Sequence, residues 1–203
     1  MVGRGKAVLF IAAILGSTAV AGGTAAAAKK FMSVTGITSS PIGHVRFCAK
    51  HRSECAVRSS RAKVMGLTRD RWHQLLDINN NINARIAPVT DQDLYNVVEH
   101  WTYPKNAGDC EDYALLKRRT LIRKGWPASA LLITVVRQSD GSGHAVLTVR
   151  TNYGEFVLDN QINAVLRWHE TPYRFIKRQS ETDAASWRRI NDRRLIGNKV
   201  ASN

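Results

Sequence analysis

The second half of the chain joins one run of helix-forming residues to three short β-rich segments. The helix-forming run covers residues 110–124, and Gly125 and Pro127 follow it. Helices commonly stop before glycine and proline, so this run predicts one helix that begins at or beside Cys110. The β-rich segments follow at 131–137, 144–150 and 155–159.

The linkers between the β-rich segments are short and rich in glycine. They are Gly141-Ser142-Gly143 and Asn152-Tyr153-Gly154. Such linkers join neighbouring antiparallel strands, so the three segments predict an antiparallel meander. A helix packed on an antiparallel sheet places the chain in the α+β fold class.

Further elements are predicted on both sides of this unit. A helix should begin after Thr68 and end before Pro88, because apolar residues recur near helical spacing at Leu75, Leu76, Ile78, Ile82 and Ile86. Residues 90–107 show no sustained periodicity of apolar residues, which predicts a loop. Residues 168–176 predict one more strand, and residues 184–195 predict a terminal basic helix.

The first 28 residues have the pattern of a secretory signal peptide. Arg4 and Lys6 precede an uncharged apolar run, and a tract of small residues follows at 25–28. A membrane anchor needs about 20 apolar residues, whereas glycine and serine interrupt this run early. We expect cleavage near Ala28, which would leave residues 29–203 as a single domain, a length that suits one hydrophobic core.

The chain is strongly basic. Its formal charge is +14, and loss of a leader that contains Arg4 and Lys6 but no acidic residue would leave +12. The basic residues are scattered among apolar ones and form no recognised nucleic-acid module. We therefore expect no nucleic-acid partner, and attribute the charge to a solvated surface or to attraction toward anionic envelope components.

Three cysteines in an exported chain favour one disulfide and one free thiol. Cys48 and Cys55 are the close pair, and Cys110 is left over. Zinc is an alternative, because His44, Cys48, His51 and Cys55 would share one stripe of a helix. On a continuous helix the two cysteines would lie about 10 Å apart, too far for a disulfide, so a helical segment would exclude that pairing. A third alternative leaves both thiols unpaired.

Cys110 stands where the predicted helix begins. The positive end of the helix dipole stabilises a thiolate there, which lowers its pKa and raises its nucleophilicity. The Cys110 backbone N–H could also donate to the oxyanion of a tetrahedral intermediate. The alternative for a lone thiol is a buried and inert cysteine, but the position and the neighbours of Cys110 favour a nucleophile.

His144 begins one predicted strand and Asp159 ends the next. Their midpoint falls within about one residue of the turn predicted at Asn152 and Tyr153, so they should be cross-strand neighbours. Such side chains lie about 5 Å apart at Cβ and can hydrogen-bond if they share a face. Asp159 would then orient His144 as the general base, with the second imidazole nitrogen facing Cys110.

Three motifs in this order resemble the signature blocks of one family. They are Gly108-Asp109-Cys110-Glu111-Asp112-Tyr113-Ala114, Gly143-His144-Ala145-Val146-Leu147 and Val157-Leu158-Asp159-Asn160. The family is that of the bacterial transglutaminase-like cysteine proteinases, and the resemblance extends from about Phe47 to Trp187. It implies a papain-like, transglutaminase-like core, a catalytic triad of Cys110, His144 and Asp159, and a periplasmic location.

The resemblance also implies a calcium site. In the branch of the family that cleaves adhesins, acidic residues beside the nucleophile bind calcium; here they are Asp109 and Glu111, with Asp112 as a weaker candidate. Carboxylates beside a thiolate would raise its pKa, and a dication held by oxygen ligands would cancel that effect. Helix capping by acidic residues in the first turn is the alternative.

The function implied by the resemblance is that of a periplasmic cysteine peptidase or amidase. It would act through an acyl-thioester on a protein of the cell envelope, such as a surface adhesin, and an inner-membrane receptor would sequester it. A protein transamidase and a non-catalytic binding protein on the same fold are the alternatives. Trp101 has two interpretations, a residue of the acyl pocket or oxyanion site and a buried core aromatic.

Overall fold

The computed structural model describes Met1 and residues 30–194. The predicted signal peptide, with its cleavage site near Ala28, lies outside the described residues. No helix in residues 30–194 is long and apolar enough to cross a membrane. The helices are α1 (Ile42–Lys50), α2 (Arg52–Cys55), α3 (Arg69–Arg85), α4 (Asp91–Tyr95) and α5 (Cys110–Arg123). The strands are β1 (Val34–Thr38), β2 (Ala87–Pro88), β3 (Ala107–Gly108), β4 (Leu131–Arg137), β5 (Gly143–Thr151), β6 (Gly154–Leu158), β7 (Leu166–Arg167), β8 (Arg174–Gln179) and β9 (Trp187–Ile190).

Within the described residues, seven strands form one antiparallel sheet in the order β1-β9-β8-β4-β5-β6-β7. Its centre is the predicted meander. β4 pairs with β5 from Leu131↔Val149 to Arg137↔Gly143, and β5 pairs with β6 up to Thr151↔Gly154. Strands β2 and β3 form a separate parallel pair.

Helix α5 packs on β4 and β5, and α3 packs on α5. The α5 helix begins at Cys110, as predicted, and Gly125 follows its end with a φ of +85°, a conformation that glycine adopts without strain. At the start of α3, the Thr68 side chain accepts a hydrogen bond from the Arg71 N–H, so the predicted cap is confirmed. The α+β class, with a helix on an antiparallel sheet, is thereby confirmed.

Apolar side chains cover both faces of the sheet. Alternate residues of each strand point to opposite faces. One face meets α3 and α5 in the larger core cluster, which includes Leu75, Leu115, Leu121, Ile133, Leu147 and Trp187. The other face carries a smaller cluster that includes Met32, Val136, Val146, Trp168, Tyr173, Phe175 and Ile190. We call the first face the helix side of the sheet.

The prediction of a terminal helix over residues 184–195 is wrong, because residues 187–190 form strand β9 between β1 and β8. Trp187 and Ile190 are three residues apart, which suits one face of a helix. In the structure they are buried on opposite faces of the sheet, in the two core clusters. A four-residue strand with one buried residue on each face shows no strand period, so the sequence pattern was ambiguous.

Two further predictions of local structure need correction. The region 90–107 was predicted as a loop, but it contains α4, whose cap Thr90 accepts from the Asp93 N–H. The strand predicted over 168–176 begins only at Arg174, and Trp168 lies in a 3-10 turn.

Cys48 and Cys55 form a disulfide, as the predicted pairing required. The helical segment is interrupted at His51, between α1 and α2, so the continuous stripe assumed for a zinc site does not form. The break brings the two Cα atoms to 5.6 Å, within the range that a disulfide spans. Both sulfurs are therefore used, although His44 lies beside Cys48.

Candidate active site

Cys110 is the first residue of α5 and is partly buried. Its Sγ accepts a hydrogen bond from the Ala145 N–H at 3.3 Å, and its thiol donates to Glu111 Oε2 at 3.1 Å. Ala145 follows His144 in β5. The fold thus places the thiol beside the strand that carries the predicted general base.

His144 and Asp159 are joined by a hydrogen bond. Nε2 of His144 lies 2.8 Å from Asp159 Oδ1, and the two residues are 3% and 2% exposed. This contact uses Nε2, which leaves Nδ1 as the nitrogen available to a thiol. The side-chain amide nitrogen of Gln161 lies 3.5 Å from Nδ1.

The geometry of this pair differs from the prediction in one respect. The β5–β6 register pairs Leu147 with Leu158, so its continuation places Asp159 opposite Val146 and not opposite His144. The two residues are diagonal neighbours on one face. Side chains at diagonal positions still lie within reach of each other, which is why the hydrogen bond forms despite the two-residue offset.

Asp159 accepts two further hydrogen bonds. The Tyr173 hydroxyl donates to Oδ2 at 2.5 Å, and the Gln161 N–H donates to Oδ1 at 3.0 Å. Burial acts to raise the pKa of Asp159, but the contact with His144, the Tyr173 hydroxyl and the Gln161 N–H together lower it. The carboxylate is therefore held ionised beside the imidazole. Sequence reasoning gave Tyr173 no role at this site, because Tyr173 stands just before β8 and no local spacing signals its contact with Asp159.

Three carboxylates meet next to Cys110. Oxygens of Asp91, Asp109 and Glu111 all lie within 4.8 Å of one another. Burial, followed by repulsion from the neighbouring carboxylates, raises the pKa of both Asp109 and Glu111. Two of these residues were predicted. Asp91 was missed, because it stands 18 residues before Asp109 in a stretch that was predicted as a loop.

Asp112, the third acidic residue predicted near the nucleophile, has a different set of contacts. Its side chain is fully buried, and Oδ1 accepts from the Thr102 N–H at 2.8 Å. Burial raises the pKa of Asp112 to about 8, and repulsion from Asp109 adds to that effect. The ligand atoms of the three-carboxylate cluster do not include it. Asp112 connects the chain around Thr102 to the first turn of α5.

The cluster of Asp91, Asp109 and Glu111 fits a hard dication. Asp91 Oδ1 and Asp109 Oδ1 are buried and have no hydrogen-bond donor among the described residues. Unsatisfied buried acceptors are costly. Calcium prefers carboxylate oxygens, and the three side chains offer only such atoms. A bound calcium ion would satisfy these oxygens and remove the repulsion among them.

The carboxylates also affect the Cys110 thiol. Burial and, next, the Glu111 carboxylate raise the pKa of the Cys110 thiol well above its usual range, while the hydrogen bond from Ala145 acts in the opposite direction. The helix terminus alone is worth about 0.3–1 kcal/mol for a charge. Burial and the carboxylates thus favour the neutral thiol over the thiolate.

Trp101 is a core residue, as the second interpretation expected. It is 5% exposed, and its indole lies against His44 and Trp187. Its Nε1 donates to Glu99 at 2.8 Å. A Cβ atom at Gly43 would lie 2.2 Å from the indole Cδ1, so the close packing requires glycine there.

Comparison with known proteins gives one family and a set of similar structures. Residues 34–195 match the model of the family described as bacterial transglutaminase-like cysteine proteinase BTLCP. EGTA-treated LapG of Legionella pneumophila is 25% identical, with a TM-score of 0.51 over 63% of this chain and 72% of that chain. Calcium-bound LapG is also 25% identical, with a TM-score of 0.48 over 53% of this chain and 64% of that chain. Among curated protein sequences, none matches.

Proposed function

The chain belongs to the family of bacterial transglutaminase-like cysteine proteinases, and from this premise we propose that it is a thiol peptidase or amidase that cleaves a protein through an acyl-thioester on Cys110. One observation carries the proposal. The N–H of Ala145 donates a hydrogen bond to the Cys110 sulfur. The preceding residue, His144, forms a hydrogen bond with the Asp159 carboxylate. Cys110, His144 and Asp159 thus lie around one strand end, which supports their proposed roles as nucleophile, base and orienting carboxylate.

The reaction follows from this arrangement. Nδ1 of His144 takes the thiol proton as Cys110 Sγ bonds to the substrate carbonyl carbon, and the backbone N–H of Cys110 stabilises the oxyanion. The C–N bond then breaks, and His144 returns the proton to the leaving amine. Water deprotonated by His144 releases the carboxylic acid and restores the thiol. Asp159 stabilises the imidazolium in each half-reaction.

Labelling of the unreduced protein with iodoacetamide tests the nucleophile. In the presence of calcium, Cys110 should react, whereas Cys48 and Cys55 should not, because their sulfurs are joined. Mass spectrometry locates the label. Cys110→Ser should abolish labelling. Preferential modification of Cys48 or Cys55 would remove Cys110 from the proposed role.

Comparison of envelope proteins from cells with the wild-type protein and with the Cys110→Ser variant tests the activity. New N-termini that require Cys110 would identify the cleaved protein, and incorporation of a labelled amine at glutamine would instead indicate transamidation.

We extend the proposal to a periplasmic location, to an envelope substrate such as a surface adhesin, and to an inner-membrane receptor that sequesters the enzyme. These parts rest on the family resemblance.

We also propose that Asp91, Asp109 and Glu111 bind calcium. The ion would place positive charge beside the nucleophile. Calorimetric titration of the EGTA-stripped protein should show one bound calcium ion, and Asp91→Asn/Asp109→Asn should lose it, since two of three charged ligands become neutral. Asp70→Asn/Asp77→Asn, at two exposed aspartates of α3, is the matched control and should bind as the wild type does. Equal affinity in both double variants would refute the site.

A further inference from the structure

A row of paired residues crosses the sheet from the nucleophile. Ala145, whose N–H bonds Cys110, pairs with Val135. Val135 pairs with Lys177 in β8, and Lys177 pairs with Arg189 in β9. Directly paired residues lie on the same face of a sheet. The row therefore runs over four strands on one face.

That face is the helix side of the sheet, where α5 lies. Val135 packs against the core cluster that contains Leu115 and Leu121 of α5. Lys177 Nζ lies 6.0 Å from the ring of Trp187, which belongs to the same cluster. Lys177 and Arg189 thus project to the side of the sheet on which Cys110 stands.

A second row lies beside the first, closer to the strand end that carries His144. Gly143 pairs with Arg137, and Arg137 pairs with Arg174. Arg137 is two residues beyond Val135, so it shares the face of Val135. An irregularity in the β4–β8 register brings Arg174 and Lys177, three residues apart, onto one face. We call Arg137, Arg174, Lys177 and Arg189 together the basic face.

The four cations of the basic face border open space. Arg174, Lys177 and Arg189 line a cavity of about 400 Å³. Arg137, Arg174 and Arg189 are exposed, and Lys177 is partly buried. Three of the four cations thus border one cavity, and the fourth, Arg137, is exposed in the neighbouring strand β4.

Within the part of the chain that the structure describes, the basic face has no acidic partner. In residues 30–194, no ion pair within 4.0 Å involves any of the four cations. Lys177 donates to the Ser39 carbonyl and Arg174 to the Asp192 carbonyl. The Asp192 carboxylate, which also lines the cavity, forms an ion pair with Arg194. Like charges directly opposite in a sheet are unfavourable, and the basic face contains two such pairs, Arg137/Arg174 and Lys177/Arg189.

From this placement we propose that the basic face binds an acidic segment of the substrate chain. Neighbouring strands are about 4.8 Å apart, so Lys177 lies about 10 Å and Arg189 about 14 Å along the sheet from Ala145. An extended peptide advances about 3.3 Å per residue. The acidic residues therefore stand about three to five positions from the scissile bond, on one side of it. This inference rests on the proposed peptidase function.

Peptide binding to the Cys110→Ser protein tests the inference without requiring turnover. The probes are fluorescent peptides that share a central sequence and carry either Asp and Glu or Asn and Gln three to five residues to one side of it. One pair places these residues N-terminally and the other C-terminally. We expect the acidic peptide of one pair to bind about tenfold more tightly than its neutral partner, with a preference that weakens as salt is added.

Charge reversal identifies the surface responsible. Arg137→Glu/Arg189→Glu should remove the preference for the acidic peptide. The matched control is Arg61→Glu/Lys63→Glu, which reverses two exposed cations near the far end of β5, where Lys63 contacts Arg150. The control should keep the preference, although it changes the net charge equally. Circular dichroism of both variants checks that each is folded.

The outcomes separate the inference from the function on which it rests. Equal binding of acidic and neutral peptides, or equal loss in both double variants, would overturn the basic face as a substrate surface. Binding of anionic phospholipid vesicles without a preference for acidic peptides would assign the surface to a membrane and would also overturn it. A protein that cleaves no envelope substrate but still shows the peptide preference would instead count against the peptidase function.

Discussion

Asp159 makes contacts with both His144 and Tyr173. At the scale of single residues, these contacts orient the imidazole of the proposed triad, because His144 uses Nε2 toward Asp159 while its Nδ1 lies 3.5 Å from the side-chain amide nitrogen of Gln161. Tyr173 and Gln161 hold the carboxylate in place from two further directions. Orientation of the imidazole is thus a property of one buried carboxylate and its three donors.

We predict that Asp159→Asn keeps the fold and lowers kcat by roughly four orders of magnitude, because an amide can fix the wrong imidazole tautomer and cannot stabilise imidazolium. Tyr173→Phe serves as a control at the same site. It removes the hydrogen bond to Oδ2 but leaves the charge, so its loss of kcat should be much smaller. Steady-state kinetics with a cleaved peptide measures both. A near-normal kcat for Asp159→Asn would remove Asp159 from the triad.

At the scale of elements, a disulfide joins α1 to α2 and fixes the corner between them. Cys48 lies in α1, Cys55 ends α2, and the bond between them closes the turn at His51. Phe47, one residue before Cys48, packs in the larger core cluster together with Trp101. The disulfide therefore holds this corner against the core.

We predict that Cys48→Ser/Cys55→Ser lowers the free energy of unfolding by about 2–3 kcal/mol, as expected for a short closed loop. Urea denaturation monitored by fluorescence measures the change. Cys110→Ser is the control and should change stability less, since Cys110 forms no disulfide. Labelling of Cys110 should persist in the double variant below its unfolding transition. Unchanged stability would mean that core packing alone fixes the corner.

At the scale of the whole molecule, acidic and basic groups lie on different sides of Cys110. The cluster of Asp91, Asp109 and Glu111 lies beside Cys110, and the basic face extends across β4, β8 and β9. Two buried bases elsewhere are shifted toward their neutral forms. Burial lowers the pKa of His44 to about 4 and of Lys117 to about 7, the latter opposed by the Asp159 carboxylate. The stability of the protein should therefore depend on pH through several groups at once.

The carboxylate cluster has its own predicted effect on stability. An acid whose pKa is higher in the folded than in the unfolded chain binds more protons when folded, so its contribution is present below the unfolded pKa and is lost as the pH rises. For Asp109 and Glu111 this loss begins near their ordinary pKa values of 3.8 and 4.5. In EGTA, Asp109→Asn/Glu111→Gln should therefore gain thermal stability relative to wild type between pH 5 and pH 8.

Comparison of the two melting curves isolates this effect, because His44 and Lys117 titrate in both proteins. Differential scanning calorimetry at several pH values gives the difference in Tm. Calcium should raise the Tm of the wild type and have little effect on the variant, since a ligand stabilises only the state that binds it. A Tm difference that stays constant with pH would show that repulsion within the cluster does not affect folding.

The sequence by itself determined the elements whose signals are local. The start of α5 at Cys110, the capped α3 helix and the hairpins of β4, β5 and β6 all follow from turn residues and short-range patterns. The approach of His144 and Asp159 also follows, because a hairpin brings residues equally distant from its turn together. An offset of two positions did not break that contact, since diagonal neighbours remain within reach.

Only the tertiary structure decided which distant segments meet. Asp91 joins Asp109 and Glu111 because α4 packs back toward the start of α5, and no spacing in the sequence encodes that contact. Residues 187–190 form a strand in which Trp187 and Ile190 are buried on opposite faces, and their three-residue spacing does not distinguish a strand from a helix. The basic face exists because β8 pairs with β4, to which it is not adjacent in sequence. Strand order depends on long-range burial, whereas sequence patterns report only local spacing.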